Sequence, residues 1–132
     1  MKEISREWLR KAQDDLDVIE EIKNKKHLTN MVAFHAQQAI EKSLKAIIDE
    51  FNLGFVKIHQ IERLLEIVKE HLEAKIDNEI VQMLDSLYIE SRYPVDIGLL
   101  PDGKPSEEDA NKFFEFAILI YRSVKKKLEG KF

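Results

Sequence analysis

The distribution of helix-breaking residues is the feature that most constrains this chain. Only four glycines and three prolines occur among 132 residues, about 5% in total, against about 12% in an average protein. Five of these seven residues lie within residues 94–105, and Gly54 is the only one that precedes them. Most of the sequence can therefore form uninterrupted helices, with one irregular loop late in the chain.

The first half of the chain predicts two long helices, because apolar residues recur there every three or four positions. The first helix is predicted to begin at Ser5 as its N-cap and to run to about residue 24. The second is predicted from about Thr29 to Asn52, with Gly54 as its stop. Beside its apolar stripe lies a stripe of small residues, which allows another helix to approach closely: Ala36, Ala39, Ser43 and Ala46.

The second half predicts three more helices. The third carries apolar residues from position 61 to 72, and the fourth carries them from 76 to 88 and must end before Pro94. Ser106, followed three residues later by Asp109, predicts the N-cap of the fifth. No segment alternates as a strand does. We therefore predict one all-α domain over residues 1–132, an up-and-down bundle of about five helices.

Composition excludes several classes of protein. With 44% hydrophobic and 35% charged residues, the chain is not disordered. It has no cysteine, which excludes disulfides and thiolate metal sites and agrees with a predicted cytoplasmic location. No apolar run is long enough to span a bilayer or to form a signal peptide, so no membrane association is expected. A net charge of −4 argues against general nucleic-acid binding but leaves local basic patches possible.

The sequence contains no motif for a metal or a cofactor. It lacks a glycine-rich phosphate loop, a His-Glu-x-x-His sequence and an EF-hand loop. None of the four histidines pairs with another ligand at close metal spacing: His27, His35, His59 and His71. We expect neither a metal nor a cofactor.

The second helix carries the densest group of polar residues. Gln38, Glu41, Lys42 and Lys45 fall at helical spacing and share one face. This face is either solvated and stabilised by neighbouring charges, or it is the wall of a groove in which the lysines bind a phosphate.

Two other positions are candidates for ligand binding. Arg92 lies between Tyr88 and Tyr93 at a helix end, where a guanidinium can bind phosphate and a tyrosine can stack on a base. Alternatively, Arg92 pairs with an acid such as Glu41 and the tyrosines fill the core. His59 either contacts the start of the third helix through a hydrogen-bonded side chain, or acts as a ligand contact or general base.

Four segments, in order, resemble the HEPN domain family, named for higher eukaryotes and prokaryotes nucleotide-binding. Residues 36–46, AQQAIEKSLKA, resemble its second-helix signature. Residues 8–16 resemble its first helix, residues 57–61 its third-helix entry, and residues 91–94, SRYP, its late arginine motif. The resemblance implies a bundle with a four-helix core that is commonly dimeric. It also implies a minimal nucleotidyltransferase as partner, in a toxin–antitoxin-like pair.

Some members of that family are metal-independent ribonucleases, whose motif is an arginine followed four to six residues later by a histidine. Arg92 matches the arginine and is the candidate catalytic residue, but residues 93–99 contain no histidine. Asp96 cannot replace an imidazolium, because an ionised carboxylate only accepts hydrogen bonds. The ribonuclease chemistry is therefore incomplete, and His59 is the alternative second group.

The resemblance also implies roles in ligand binding. Arg92 would bind phosphate or the RNA backbone, Lys42 and Lys45 would add positive charge, and Gln38 would hydrogen-bond a base or phosphate. Tyr93 and His59 complete the set of candidate contacts, with Glu41 holding Arg92 in place. We expect a homodimeric nucleotide- or RNA-binding interaction protein. The alternatives are a ribonuclease toxin that uses Arg92 and a structural dimerisation partner without ligand.

Overall fold

The computed structural model describes residues 1–54, 57, 59–91 and 104–130, with the backbone alone for residues 88–91. This part of the chain contains five α-helices and a short 3-10 turn, and no strand. The helices are α1 (Glu3–Ile22), α2 (Thr29–Glu50), α3 (Ile61–Val68), α4 (Asn78–Ser91) and α5 (Glu107–Glu129), with the 3-10 turn at Lys26–Leu28. The predicted all-α bundle of five helices is confirmed.

The first two helices form an antiparallel pair. The backbone N–H of Lys2 donates to the Glu50 carboxylate at 2.8 Å, so the start of α1 lies beside the end of α2. Apolar spacing of three and four predicts a buried stripe in α1, and its middle is buried at this contact: Ala12, Leu16 and Ile19. Trp8 and Ile22 of the same stripe are half-buried, and Ile4 at its start is exposed.

The predicted N-cap of α1 is wrong. The helix begins at Glu3 with Lys2 as its N-cap, and Ser5 lies within the first turns, fully buried. Contacts with α2 explain the earlier start, because the Lys2 ammonium also donates to the backbone carbonyl of Asp49 at 2.9 Å. These two hydrogen bonds from Lys2 to the end of α2 fix the start of α1, and a serine N-cap is not used there.

The end of α2 also differs from the prediction. The helix ends at Glu50, and Asn52 takes the left-handed conformation with φ 54° that was expected of Gly54. The N–H of Leu53 donates to the carbonyl of Ile48 at 2.9 Å, which closes a Schellman motif. Asparagine adopts this conformation more readily than most other residues. Gly54 follows with φ 115° and directs the chain away from the helix.

Helix α2 is the centre of the bundle and packs against the other four helices. The small-residue stripe is fully buried, as close helix packing requires. Ile40, Leu44 and Ile47 are also fully buried, together with Phe113 and Ile120 of α5. The face of α2 opposite this core is the polar face described below.

Helix α5 runs in the same direction as α2, as contacts near its two ends show. Near its start, Glu107 lies 3.9 Å from the ammonium of Lys26, and near its end Lys127 lies over the ring of Phe51. The predicted N-cap is confirmed, since Ser106 Oγ accepts from the backbone N–H of Asp109 at 3.0 Å. No helix within the described residues is both long and apolar enough to cross a membrane.

Helices α3 and α4 are both shorter at one end than predicted. Helix α3 ends at Val68, although Leu72 beyond it still packs against the core. Helix α4 begins at Asn78, after Asp77 accepts from the backbone N–H of Glu79 at 3.1 Å. A side-chain acceptor in front of a helix satisfies N–H groups that lack partners within it, and so marks its start.

The start of α3 is joined to α4 by Asp85. Its Oδ1 accepts from the backbone N–H of Ile61 at 2.8 Å, and its Oδ2 from that of Glu62 at 3.1 Å. Burial raises the pKa of Asp85 above its ordinary 3.8, although these two hydrogen bonds act in the opposite direction. The contact holds the segment before α3, which carries His59, beside α2.

Candidate functional site

Two buried carboxylates organise the polar face of α2. Asp15 extends to this face from α1, and Glu41 belongs to α2 itself. Their side chains are only 9% and 5% exposed. Each carboxylate contacts one lysine and one histidine, as buried acids require charged or hydrogen-bonding partners. We call these two groups the Asp15 cluster and the Glu41 cluster.

The Asp15 cluster joins α1 to α2. Asp15 Oδ2 accepts from the ammonium of Lys42 at 2.8 Å, and its Oδ1 lies 2.8 Å from Nδ1 of His35. The ring of Phe34 meets that of His35 edge-on, with centroids 5.1 Å apart. Both partners of Asp15, Lys42 and His35, are therefore held in defined positions at the rim of the helix pair.

The Glu41 cluster joins α2 to the segment before α3. Glu41 Oε1 accepts from the ammonium of Lys45 at 2.8 Å and lies 2.6 Å from Nδ1 of His59. Its Oε2 accepts from Gln37 at 3.1 Å, and Gln37 also donates to the backbone carbonyl of His59 at 3.0 Å. Because the imidazole and the backbone of His59 are both bound, its ring is held close to one orientation.

The clusters restrict which chemistry this face can perform. Each lysine shares its charge with a buried carboxylate, so the face presents ordered ammonium groups with little excess positive charge. Such groups can donate hydrogen bonds to a phosphate without the entropic cost of ordering free lysines. A histidine whose Nδ1 is held by a carboxylate is also the usual arrangement for proton transfer through Nε2.

A cleft of about 590 Å³ adjoins the Glu41 cluster. We call it the Trp8 cleft, after the half-buried aromatic ring of α1 that lines it. Its lining comprises Ile4, Trp8, Lys45, Ile48, Asp49, Gly54, Lys57 and His59. Lys45 and His59 therefore face both the cluster and the cleft.

The structure brings four of the candidate residues together. Gln38 donates to the side chain of Gln37 at 2.8 Å, beside Glu41, while Lys45 and His59 bind Glu41 directly. Lys42 lies on the same face but is held by Asp15. Arg92 and Tyr93 lie outside the described residues, so the expected contact of Arg92 with Glu41 remains a prediction.

Sequence reasoning missed several residues of this site. Asp15 and His35 complete one cluster, and Trp8, Asp49 and Lys57 line the cleft. One signal could have identified Asp15: it lies three residues after Ala12 and directly before Leu16, within the buried stripe of α1. A charged residue in such a stripe needs a partner on the neighbouring helix.

No metal site is evident in this region. Within the described segments, no group of three histidine, aspartate or glutamate side chains is placed to hold a metal ion. The histidines of the two clusters instead contact single carboxylates.

The fold and the site together define a small helical-bundle protein with an ordered polar face on its second helix. A model of the HEPN domain family matches residues 5–127, nearly the whole chain. The protein belongs to the HEPN domain family.

A solved structure supports this assignment. The chain is similar to an archaeal HEPN homologue, with a TM-score of 0.69 and 27% sequence identity. The match covers 96% of this chain and 98% of the other. A search of curated proteins finds no significant match.

Proposed function

We propose that this HEPN protein binds a nucleotide or RNA and acts through protein interactions. The observation that carries the proposal is the ordered set of donors on the polar face of α2. Lys42 and Lys45 are each held at 2.8 Å by a buried carboxylate, and Gln38 precedes them on the same face of the helix. Ammonium and amide groups in fixed positions suit the oxygens of a phosphate and the edge of a base.

Arg92 supplies the principal positive charge in this proposal. The two lysines are neutralised by Asp15 and Glu41, so a further cation is needed to attract a phosphate. A guanidinium binds phosphate through two parallel hydrogen bonds, which a lysine cannot reproduce. We assign this role to Arg92, because it matches the arginine motif of the family that the sequence resembles.

The test is RNA binding by fluorescence anisotropy, with a labelled single-stranded RNA of mixed sequence at low ionic strength. We expect Arg92→Ala to weaken binding about tenfold, the effect of losing one charged hydrogen-bonding group. Arg122→Ala is the matched control, because Arg122 is an exposed arginine of α5. Equal binding by wild type and Arg92→Ala would remove the proposed role of Arg92.

The proposed protein partner is a minimal nucleotidyltransferase, as in toxin–antitoxin-like pairs of the family. The experiment is to co-express this chain with the product of the neighbouring gene and to purify through a tag on one of them. A stable complex with a nucleotidyltransferase would support the pairing. Separate elution of the two proteins, or a neighbouring gene of another class, would contradict it.

A second candidate function is metal-independent RNA cleavage. It is favoured by the 2.6 Å contact between Glu41 and His59. With Nδ1 held by the carboxylate, His59 would take the proton of a ribose 2′-hydroxyl through Nε2 while that oxygen attacks the adjacent phosphorus. The new bond closes a 2′,3′-cyclic phosphate, and the 5′-oxygen leaves as a hydroxyl that takes its proton from water. Arg92 would stabilise the charge on the phosphate.

Cleavage is tested with RNA in the presence of a chelator. If this function is correct, wild type cleaves, while Arg92→Ala and His59→Gln do not. His27→Gln is the matched control, because His27 is exposed and its side chain belongs to neither cluster. Absence of cleavage by wild type would exclude this second function, and nucleotide or RNA binding would remain as the proposed function.

A further inference from the structure

Trp8 is held rigidly in the wall of the Trp8 cleft. Its indole Nε1–H donates to Oδ2 of Asp49 at 2.6 Å, so a side chain of α1 is fixed by a side chain of α2. The ring is half-buried rather than covered. A rigid aromatic surface open to a cleft costs little conformational entropy when a flat ligand stacks on it.

The apolar part of the cleft extends beyond this ring. Ile4 lies one turn before Trp8 in α1 and is 53% exposed, which is the largest exposed fraction among the described large apolar side chains. Ile48 of α2, only 2% exposed, lies beneath them at the inner end of the cleft. Trp8 and Ile4 form an apolar wall of the kind that binds the planar faces of nucleobases.

The other part of the cleft is rich in cationic and hydrogen-bonding groups. The ammonium of Lys45 lies over the Trp8 ring, 5.4 Å from its centroid. One nucleotide is long enough to contact both the aromatic surface and this charge. Lys57 and His59, from the segment before α3, line the same side. Asp49 is the acidic group of the cleft, and its Oδ2 is occupied by the indole of Trp8.

We propose that the Trp8 cleft binds one nucleoside phosphate, with its base stacked at Trp8 and Ile4 and its phosphate bound by Lys45 and Lys57. The volume of about 590 Å³ lies within the range of small-ligand sites. The inference rests on the proposed nucleotide or RNA binding and names the place of one base. The nucleoside phosphate is either a free nucleotide or one unit of a single-stranded RNA.

The sequence provides a direct probe, because Trp8 is the only tryptophan. Its fluorescence is titrated with adenosine 5′-monophosphate and, separately, with a short oligoadenylate RNA. Stacking should give saturable quenching, beyond the collisional quenching of free N-acetyltryptophanamide. Ribose 5-phosphate, which has no base, should leave the fluorescence unchanged.

Two pairs of variants test the assigned contacts. Lys57→Ala should raise the dissociation constant obtained from Trp8 quenching about tenfold. Lys25→Ala should leave it unchanged, because Lys25 is an exposed lysine near the opposite end of α2. Trp8→Leu should weaken labelled-RNA binding about tenfold in anisotropy, while Trp8→Phe, which keeps an aromatic ring, should retain most of it. Circular dichroism establishes that each variant is folded.

The outcomes separate this inference from the proposed function. Saturable quenching by the free nucleotide or by RNA alone supports the cleft and identifies the source of the ligand. If RNA binds in anisotropy without quenching Trp8, the cleft is not the site, although RNA binding stands. If neither nucleotide nor RNA binds in either assay, both the inference and the proposed function fail.

Discussion

Ser5 is the clearest single-residue weakness of the bundle. Its hydroxyl is fully buried in α1 and has no hydrogen-bond partner among the residues that the structure describes. An unsatisfied buried hydroxyl costs free energy, and alanine is a better helix former than serine. We expect Ser5→Ala to raise the free energy of unfolding by about 1 kcal/mol, measured by urea denaturation.

Ser43 provides the matched control for that substitution. It is also fully buried, but its hydroxyl donates to the backbone carbonyl of Ala39 at 2.7 Å. Ser43→Ala removes a hydrogen bond that is made, so it should stabilise less than Ser5→Ala or destabilise. A loss of stability in Ser5→Ala would show that the Ser5 hydroxyl is satisfied in solution.

Asp85 is expected to give a measurable pH dependence. Burial raises its pKa in the folded protein above the ordinary 3.8, so the folded state binds this proton more tightly than the unfolded chain. The contribution of Asp85 to the free energy of unfolding is therefore largest below pH 3.8 and decreases as the pH rises through the folded pKa.

To isolate this effect, we compare the free energies of unfolding of wild type and Asp85→Asn from below pH 3.8 to neutral pH. The excess stability of wild type should decrease as the pH rises from 3.8 and then stay constant towards neutrality. Urea denaturation at each pH measures it. A difference that grows with pH would mean that the two backbone N–H donors outweigh burial and lower the pKa.

At the scale of elements, α5 depends on a local cap. Ser106 Oγ accepts from the N–H of Asp109 at 3.0 Å, which satisfies one of the N–H groups that lack partners within the helix. We expect Ser106→Ala to lower the free energy of unfolding by about 1 kcal/mol. Ser106→Asp keeps an acceptor at the same place and should lose little. Equal losses in both variants would show that the cap contributes nothing.

Helix ends in this protein fall into two groups. The start of α5 follows from residues within one turn of it, and the sequence predicted it. The start of α1 and the end of α2 involve Lys2, Glu50 and Asn52, which meet only because the two helices pack antiparallel. For that reason the local signals at Ser5 and Gly54 did not predict the ends of α1 and α2: contacts between the two helices place those ends elsewhere.

At the scale of the whole molecule, the expected assembly is a symmetric homodimer, as the resemblance implies and as is common among small oligomers. Light scattering at micromolar concentration should give twice the chain mass of 15.5 kDa. Repeating the measurement at high salt distinguishes an apolar interface from a charged one, since screening weakens only the latter. The mass of a single chain would contradict the prediction.

The candidate site was only partly predictable from the sequence. The spacing of Gln38, Glu41, Lys42 and Lys45 correctly placed them on one face, because helix periodicity is a local property. The same spacing could not show that Lys42 reaches Asp15, which is 27 residues away, or that Glu41 binds His59. Those contacts depend on how α1 and the segment before α3 are placed against α2.

The sequence by itself determined the five helices, most of their buried faces and the family of this protein. These follow from the recurrence of apolar residues, the scarcity of glycine and proline, and short motifs, all of which act over a few neighbouring residues. Tertiary structure alone decided that two buried carboxylates each hold a lysine and a histidine, and that Asp49 fixes Trp8 beside Lys45. Buried charges and a fixed indole need partners, and the register between packed helices selects them.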